Sequence, residues 1–305
     1  MVRADLSVNI CGIPFKNPVI PASGVFVYGR EYEQYYDLSK LGGISTKGTT
    51  GTRRTGNLPP RVAETTMGML NSVGLQNPGI DAFIANELPH LLACDTVILA
   101  NIAGSTADEC AEVAAKLDRT DVHMIELNIS CPNVKQGGAA FGTSCEAAAQ
   151  VTKAVRRATK KPLCVKLSPN VTSITEIAKA VEAEGADALS LINTLLGMRI
   201  DLRTRRPILH NNMGGFSGPA VFPVAVRMVW QVANAVSLPV IGMGGVASGE
   251  DAAELMMAGA SAVQVGTAIV QDPYAPLRII DELNDWLDSN HIATAAELTG
   301  SVKPW

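Results

Sequence analysis

Eight short runs of β-branched and other apolar residues recur along the chain, at Pro18–Ala22, Gly43–Lys47, Thr96–Ile102, Met124–Ser130, Leu163–Ser168, Ala188–Asn193, Pro239–Gly242 and Ala262–Val265. Most are bounded by Gly, Pro or Asn, the punctuation of strands. Between them the apolar period lengthens. Ile174, Ile177, Ala178 and Val181 repeat at helical spacing, and Cys110, Ala111, Ala114 and Leu117 share a face in the same way. Asp272-Pro273 opens a last helix through Trp286, with proline where its missing N–H costs nothing. Tyr28–Tyr36, which holds four of the five tyrosines, reads as the first helix and as a packing patch.

The strands are apolar on both faces instead of alternating, as parallel strands covered on both sides require. Eight of them, each followed by a helix or long loop, predict a closed (β/α)8 barrel over a six- or seven-stranded open sheet. Leu6–Phe15, around Cys11-Gly12, predicts a hairpin able to plug the N-terminal end of that barrel. Long non-periodic stretches follow the second strand (Gly48–Leu75), the fourth (Cys131–Gly142) and the sixth (Leu195–Gly218). In a barrel all three lie at the C-terminal face, where chemistry is done. With no repeat or linker, residues 1–305 read as one domain.

Composition narrows the function classes. The chain has 305 residues, is 47% hydrophobic and carries a net charge of −4, with no basic run longer than Arg205-Arg206. A nucleic-acid binder normally carries a clustered positive footprint. No apolar stretch is long enough to span a bilayer, and MVRADLSVNI does not read as a signal peptide, which predicts a soluble cytoplasmic protein. The cysteines, Cys11, Cys94, Cys110, Cys131, Cys145 and Cys164, form no CxxC pair, so no self-contained metal or iron–sulfur site is expected. His90, His123, His210 and His291 show no ligand spacing and read as structural or surface residues. RTRRP (Arg203–Pro207) reads as a solvated piece of loop.

Three patterns point to chemistry. GMGGV (Gly242–Val246) and AVQVGTA (Ala262–Ala268) end the seventh and eighth strands. The loops there form the common phosphate site of this barrel, and Gly244, Gly245, Gly266 and Thr267 would offer bare backbone N–H groups. The glycines do not complete GxGxxG, because the third position is Ala247, so a bound dinucleotide is not expected. A ring of strand-end polar residues, Lys47, Asn101, Asn128, Lys166 and Asn193-Thr194, would aim amides and ammonium groups at one mouth. Amides suit a planar heterocycle, and lysines suit a carboxylate or a developing anion. Finally, Cys131 in NISCPN sits just past the fourth strand, before a proline and among polar residues, while the other five cysteines lie in helical or apolar runs and read as buried core thiols. A thiolate base there would need nearby positive charge, for which Lys47 and Lys166 are candidates.

Together these blocks resemble the dihydroorotate dehydrogenases, FMN-containing barrels of pyrimidine biosynthesis. NPVIPASG, ISTKGTT, NSVGLQNPG, ELNISCPN, VKLSPN, SLINT, GGFSGPA, GMGGV and QVGTA follow that family's order over essentially the whole chain. The resemblance implies that Lys47 and Asn71, Ser72, Val73, Gly74 and Leu75 hold the substrate, with Asn128, Asn193 and Thr194 on its pyrimidine edge. It implies FMN contacts from Ser23, Lys47, Gly48, Asn101, Asn128, Lys166 and Ile192, completed by Gly218, Gly244, Gly245, Gly266 and Thr267. Lys166 would face the flavin edge that becomes anionic on reduction. Cys131 as the base resembles the soluble class, and NVKQGGAAFG (Asn133–Gly142) looks like its NAD-linked subtype B. That subtype works with a second subunit bearing FAD and a [2Fe–2S] cluster, so a homodimer within a heterotetramer is implied. Four alternatives stand beside it: a fumarate-linked homodimeric subtype A, a dihydropyrimidine dehydrogenase-like activity (those chains carry Fe–S cysteine clusters that this sequence lacks), a barrel forming a Schiff base on Lys166, and a flavin- or phosphate-binding subunit without catalysis.

Overall fold

A computed structural model describes residues 3–130 and 141–305. Eight parallel strands form one sheet: β1 (Val19–Pro21), β2 (Gly43–Ser45), β3 (Val97–Ile102), β4 (Met124–Asn128), β5 (Leu163–Lys166), β6 (Ala188–Leu191), β7 (Val240–Met243) and β8 (Ala260–Val265). From β2 to β8 each pairs with the next in chain order, and β8 pairs back onto β1. The seam between β1 and β2 is held by the Gly42 N–H, which donates to Val19 O at 3.2 Å. Gly42 is required there: a Cβ at this position would lie 1.9 Å from the Asn17 carbonyl oxygen. The result is the expected α/β barrel, nearly closed.

The strands are apolar on both faces because both faces are covered; all six residues of β3 are buried. The helices outside are amphipathic at the period the sequence carries. Ile174–Ala183 buries Ile174, Ile177, Ala178 and Val181. Ala107–Asp118 buries Cys110, Val113, Ala114 and Leu117, so Val113 takes the place expected of Ala111, one turn being 3.6 residues. Thr106, Ser144, Ser173 and Ser248 each accept an N–H from the third residue of the helix they open. Each such cap stabilises its helix by about 1 kcal/mol.

Three local expectations are corrected. Tyr28–Tyr36 is a series of turns, because the single helical turn Ser23–Phe26 ends at Val27 (φ 57°) and Gly29 (φ 80°). Tyr28 and Tyr36 are nonetheless buried, and Tyr32 stacks on Phe26 with ring centroids 4.4 Å apart. The last helix starts at Ala275, not at Pro273, and Pro276 fills the position where its missing N–H is harmless. The long loops after β2 and β6 are not structureless. They interleave as a four-stranded antiparallel sheet in the order Leu195–Gly197, Gly214–Ser217, Gly68–Asn71, Val62–Thr65. RTRRP lies at the turn of a short ribbon joining Ile200–Asp201 to Arg206–Pro207.

The N-terminal hairpin, Val8–Ile10 with Ile13–Phe15, forms as expected. Its Phe15 is fully buried and its Cys11 thiol donates to Asp187 O at 3.2 Å, just before β6. A depression of about 570 Å3 lies there, between Cys11, Arg156 and Asp187. Arg156 spends its donors on Asp187 and on the Thr159 and Lys161 carbonyls.

Candidate active site

The opposite end, where the strands finish, holds a cavity of about 360 Å3. That is within the range of about 300–1,000 Å3 usual for small-molecule and cofactor sites. Strand geometry explains its polar lining. A residue at the end of each parallel strand clears the packed interior and turns into the mouth, which places Lys47, Asn101, Asn128, Lys166 and Asn193-Thr194 around one space. Lys166 is buried there, and the Lys47 backbone is fixed by its N–H on Val27 O at 2.8 Å.

Asn193 Nδ2 donates to Asn128 Oδ1 at 3.3 Å and to Ser130 O at 3.4 Å, while Asn193 Oδ1 accepts the Thr194 N–H at 2.9 Å. These contacts lock two amides and a hydroxyl residue into one edge. Asn71, Val73, Gly74 and Leu75 approach from the loop after β2, and Asn71 Nδ2 reaches Gly215 O at 3.4 Å. Ser23, Gly48 and Ile192 also line the cavity. Ser72 and Gly218 stand behind the wall: Ser72 is fully buried, and Gly218 presses its oxygen toward Gly245.

Gly244 and Gly245 carry φ of 120° and 88°, and a Cβ on Gly245 would lie 2.7 Å from Phe222 Cβ. The loop therefore keeps its backbone bare against the cavity. Gly266 and Thr267 face it from β8, with Thr267 Oγ1 donating to Ser217 Oγ at 2.9 Å.

Two lining residues carry buried oxygens that accept no hydrogen bond among the described residues, Asn101 Oδ1 and Gln264 Oε1. Both side chains instead donate to Glu126, which is fully buried under the cavity. Burial alone would raise the pKa of Glu126. Lys166 and the hydrogen bonds from Ser45, Asn101 and Ser190 outweigh it and hold the carboxyl below its ordinary value. Glu126 and Gln264 are absent from the sequence-level ring. Their signal was a polar residue inside an otherwise apolar strand run, which must find a partner when buried.

This lining fits FMN. Orphaned acceptors await ring and ribityl donors, side-chain-free loops suit a phosphate, and Ala22, Val25 and Met243 add apolar wall. Cys131 lies outside the described residues. Burial pushes the thiol of Cys110 up to about 12 and that of Cys164 well above its usual value, which disfavours either as a thiolate. Cys145 is exposed, contrary to the expectation of a core thiol. Glu33, His90 and Cys94 bring ligand atoms within 4.8 Å of one another, the one such group among the described residues, and none of the three lines the cavity. No helix among the described residues is long and apolar enough to cross a membrane.

Comparison with known proteins agrees with this geometry. Residues 5–287 match the protein family described as dihydroorotate dehydrogenase. The chain is 55% identical over 304 residues to the "dihydroorotate dehydrogenase B (NAD(+)), catalytic subunit" of Geotalea daltonii, covering 99% of this chain and 100% of that one. Proteins of the same description from Alkaliphilus metalliredigens and Geobacter metallireducens are 54% and 57% identical, again over 99% of this chain and 100% of theirs. A barrel with this mouth and near full-length similarity of this degree have one common explanation: the chain belongs to the dihydroorotate dehydrogenase family.

Proposed function

We propose that this chain is the FMN-dependent catalytic subunit of an NAD-linked dihydroorotate dehydrogenase, a single FMN-binding barrel domain working in the cytoplasm. The observation that supports it most is end-to-end similarity to relatives of that description, joined to a polar cavity built from five successive strand ends. Bound FMN supplies the hydride acceptor for C6 of dihydroorotate. The chain supplies the rest. Asn128, Asn193 and Thr194 hydrogen-bond the pyrimidine edge, and Lys47 with Asn71–Leu75 encloses the substrate. Cys131, as a thiolate, takes the proton from C5, so that a proton and a hydride leave together and orotate forms. Lys166 balances the negative charge that reduction adds.

The chain has no CxxC pair and no GxGxxG, so its electrons leave through a small acceptor or another subunit; the resemblance to the NAD-linked subtype points to a subunit carrying FAD and a [2Fe–2S] cluster. A partner subunit is also what the name "catalytic subunit" of the relatives implies. A homodimer of this chain inside a heterotetramer fits that arrangement.

Anaerobic titration with dihydroorotate tests the reading: the flavin absorbance bleaches, and NAD+ is reduced only when the partner is added. Cys131→Ser retains the flavin but slows its reduction at neutral pH by about 100-fold or more, the usual worth of a general base. Equal rates in the two proteins would reject Cys131 as the base. Turnover of the isolated chain with fumarate would move it to the fumarate-linked subtype.

A further inference from the structure

We propose that Glu126, which touches neither substrate nor cofactor, is a positioning residue that makes Asn101 and Gln264 turn their carbonyl oxygens, and not their NH2 groups, toward the flavin. The inference rests on the FMN reading above. Glu126 projects from the middle of β4 into the barrel, fully buried beneath the cavity floor. Its Oε2 accepts Ser45 Oγ and Asn101 Nδ2, each at 2.6 Å, and its Oε1 accepts Gln264 Nε2 at 2.7 Å and Ser190 Oγ at 2.8 Å. One side chain thus ties together β2, β3, β6 and β8.

An ionised carboxylate can only accept, so an amide facing it must offer nitrogen. The two amide orientations therefore follow from the charge on Glu126. At their far ends, Asn101 Oδ1 and Gln264 Oε1 are buried and accept nothing among the described residues, although both side chains line the cavity. A Cβ at Gly48 would lie 2.8 Å from Asn101 Oδ1, so a glycine keeps that oxygen open. An unpartnered buried acceptor is costly, which favours a ligand that brings donors to both places. The ring imide N–H and the ribityl hydroxyls of FMN are donors of that kind. Lys166, whose attraction favours the charged form of Glu126, is compensated in turn by the carboxylate.

The test is FMN binding to the apoprotein, followed by flavin fluorescence, and the midpoint potential of the bound flavin without substrate. In Glu126→Gln one oxygen becomes an NH2 and meets both a serine hydroxyl and an amide NH2. The hydroxyl can turn to accept, but the facing amide of Asn101 or Gln264 cannot, so it has to rotate and aim its own NH2 at the flavin. FMN binding is expected to weaken tenfold or more. The potential is expected to move positive, because a negative charge is lost and an N–H dipole replaces a carbonyl. Unchanged affinity and potential would overturn the proposal. So would weaker binding at an unmoved potential, which marks a merely structural role. If Glu126→Gln does not fold, Ser190→Ala removes one donor from the same carboxylate outside the cavity. Several-fold weaker FMN binding is then expected, and unaltered binding overturns the proposal. Failure of the wild-type chain to take up FMN would instead count against the functional reading.

Discussion

Glu126 is a carboxylate with no solvent access, and its neighbours decide whether it can be charged. Desolvation acts against it, while Lys166 and the hydrogen bonds it accepts act for it and win. The sign of the consequence is fixed. A carboxyl held below its ordinary value in the folded chain binds its proton more tightly when unfolded. Its contribution to stability is therefore complete above the unfolded pKa of about 4.3 and is lost as pH falls through the folded value. Urea unfolding of the wild type and of Glu126→Gln should show a stability gap that is constant at neutral pH and narrows below about pH 4.3. Exposed carboxylates with lowered values, such as Asp5 and Asp37, are common to both proteins and cancel. A gap that stays constant into the acid range would mean that folding leaves the Glu126 pKa unmoved, and a gap that shifts in favour of the wild type as pH falls toward the unfolded value would mean that the fold keeps it protonated.

At the scale of elements, the cavity wall depends on strands that join distant loops. Thr194 sits just before the strand Leu195–Gly197, whose partner Gly214–Ser217 passes so close that a Cβ at Gly215 would lie 2.0 Å from Thr194 Oγ1 and 2.6 Å from Thr194 Cβ. Rotating the hydroxyl relieves only the first contact, so Gly215→Ala has to move the Thr194 backbone. With Thr194 on the substrate edge, KM for dihydroorotate should rise about tenfold, a misplacement cost of roughly 1.4 kcal/mol, while FMN content stays at the wild-type level. An unchanged KM would take Thr194 off that edge. These elements also mark what the sequence could reveal. The barrel strands were legible because two-sided burial writes them as unbroken apolar runs. The mouth sheet was not, because its strands are three or four residues long, three of the four carry glycine, and the central pair, Gly68–Asn71 with Gly214–Ser217, meets across more than a hundred residues of chain. Strand-end Lys and Asn residues could be read one strand at a time. The Glu126 cluster could not, because Ser45, Asn101, Ser190 and Gln264 meet only when the sheet curves shut.

The whole molecule is asymmetric in what it leaves uncovered. Leu58, Met67, Leu196, Met198, Ile200, Leu202, Met213 and Val270 are exposed and lie in the segments that follow β2, β6 and β8 at the catalytic end, while other exposed large hydrophobics, Trp230, Val302 and Trp305 among them, are spread elsewhere. Leu202, at 88% exposure, stands on the short ribbon beside Arg203, Arg205 and Arg206. Scattered exposed apolar residues are ordinary, but a concentration at one end marks a surface that another chain covers. The homodimer proposed for this chain would cover it. Burying a large aliphatic side chain is worth about 1.5–3 kcal/mol, and removing two of them while adding charge should weaken association by at least 100-fold. Sedimentation of the purified chain should therefore show a dimer for the wild type and a monomer for Met198→Glu/Leu202→Glu at micromolar concentration. FMN content should be the same in both, because neither side chain lines the cavity or belongs to the core. A double variant that still sediments as a dimer would place the self-contact elsewhere and leave this rim to the electron-transfer subunit.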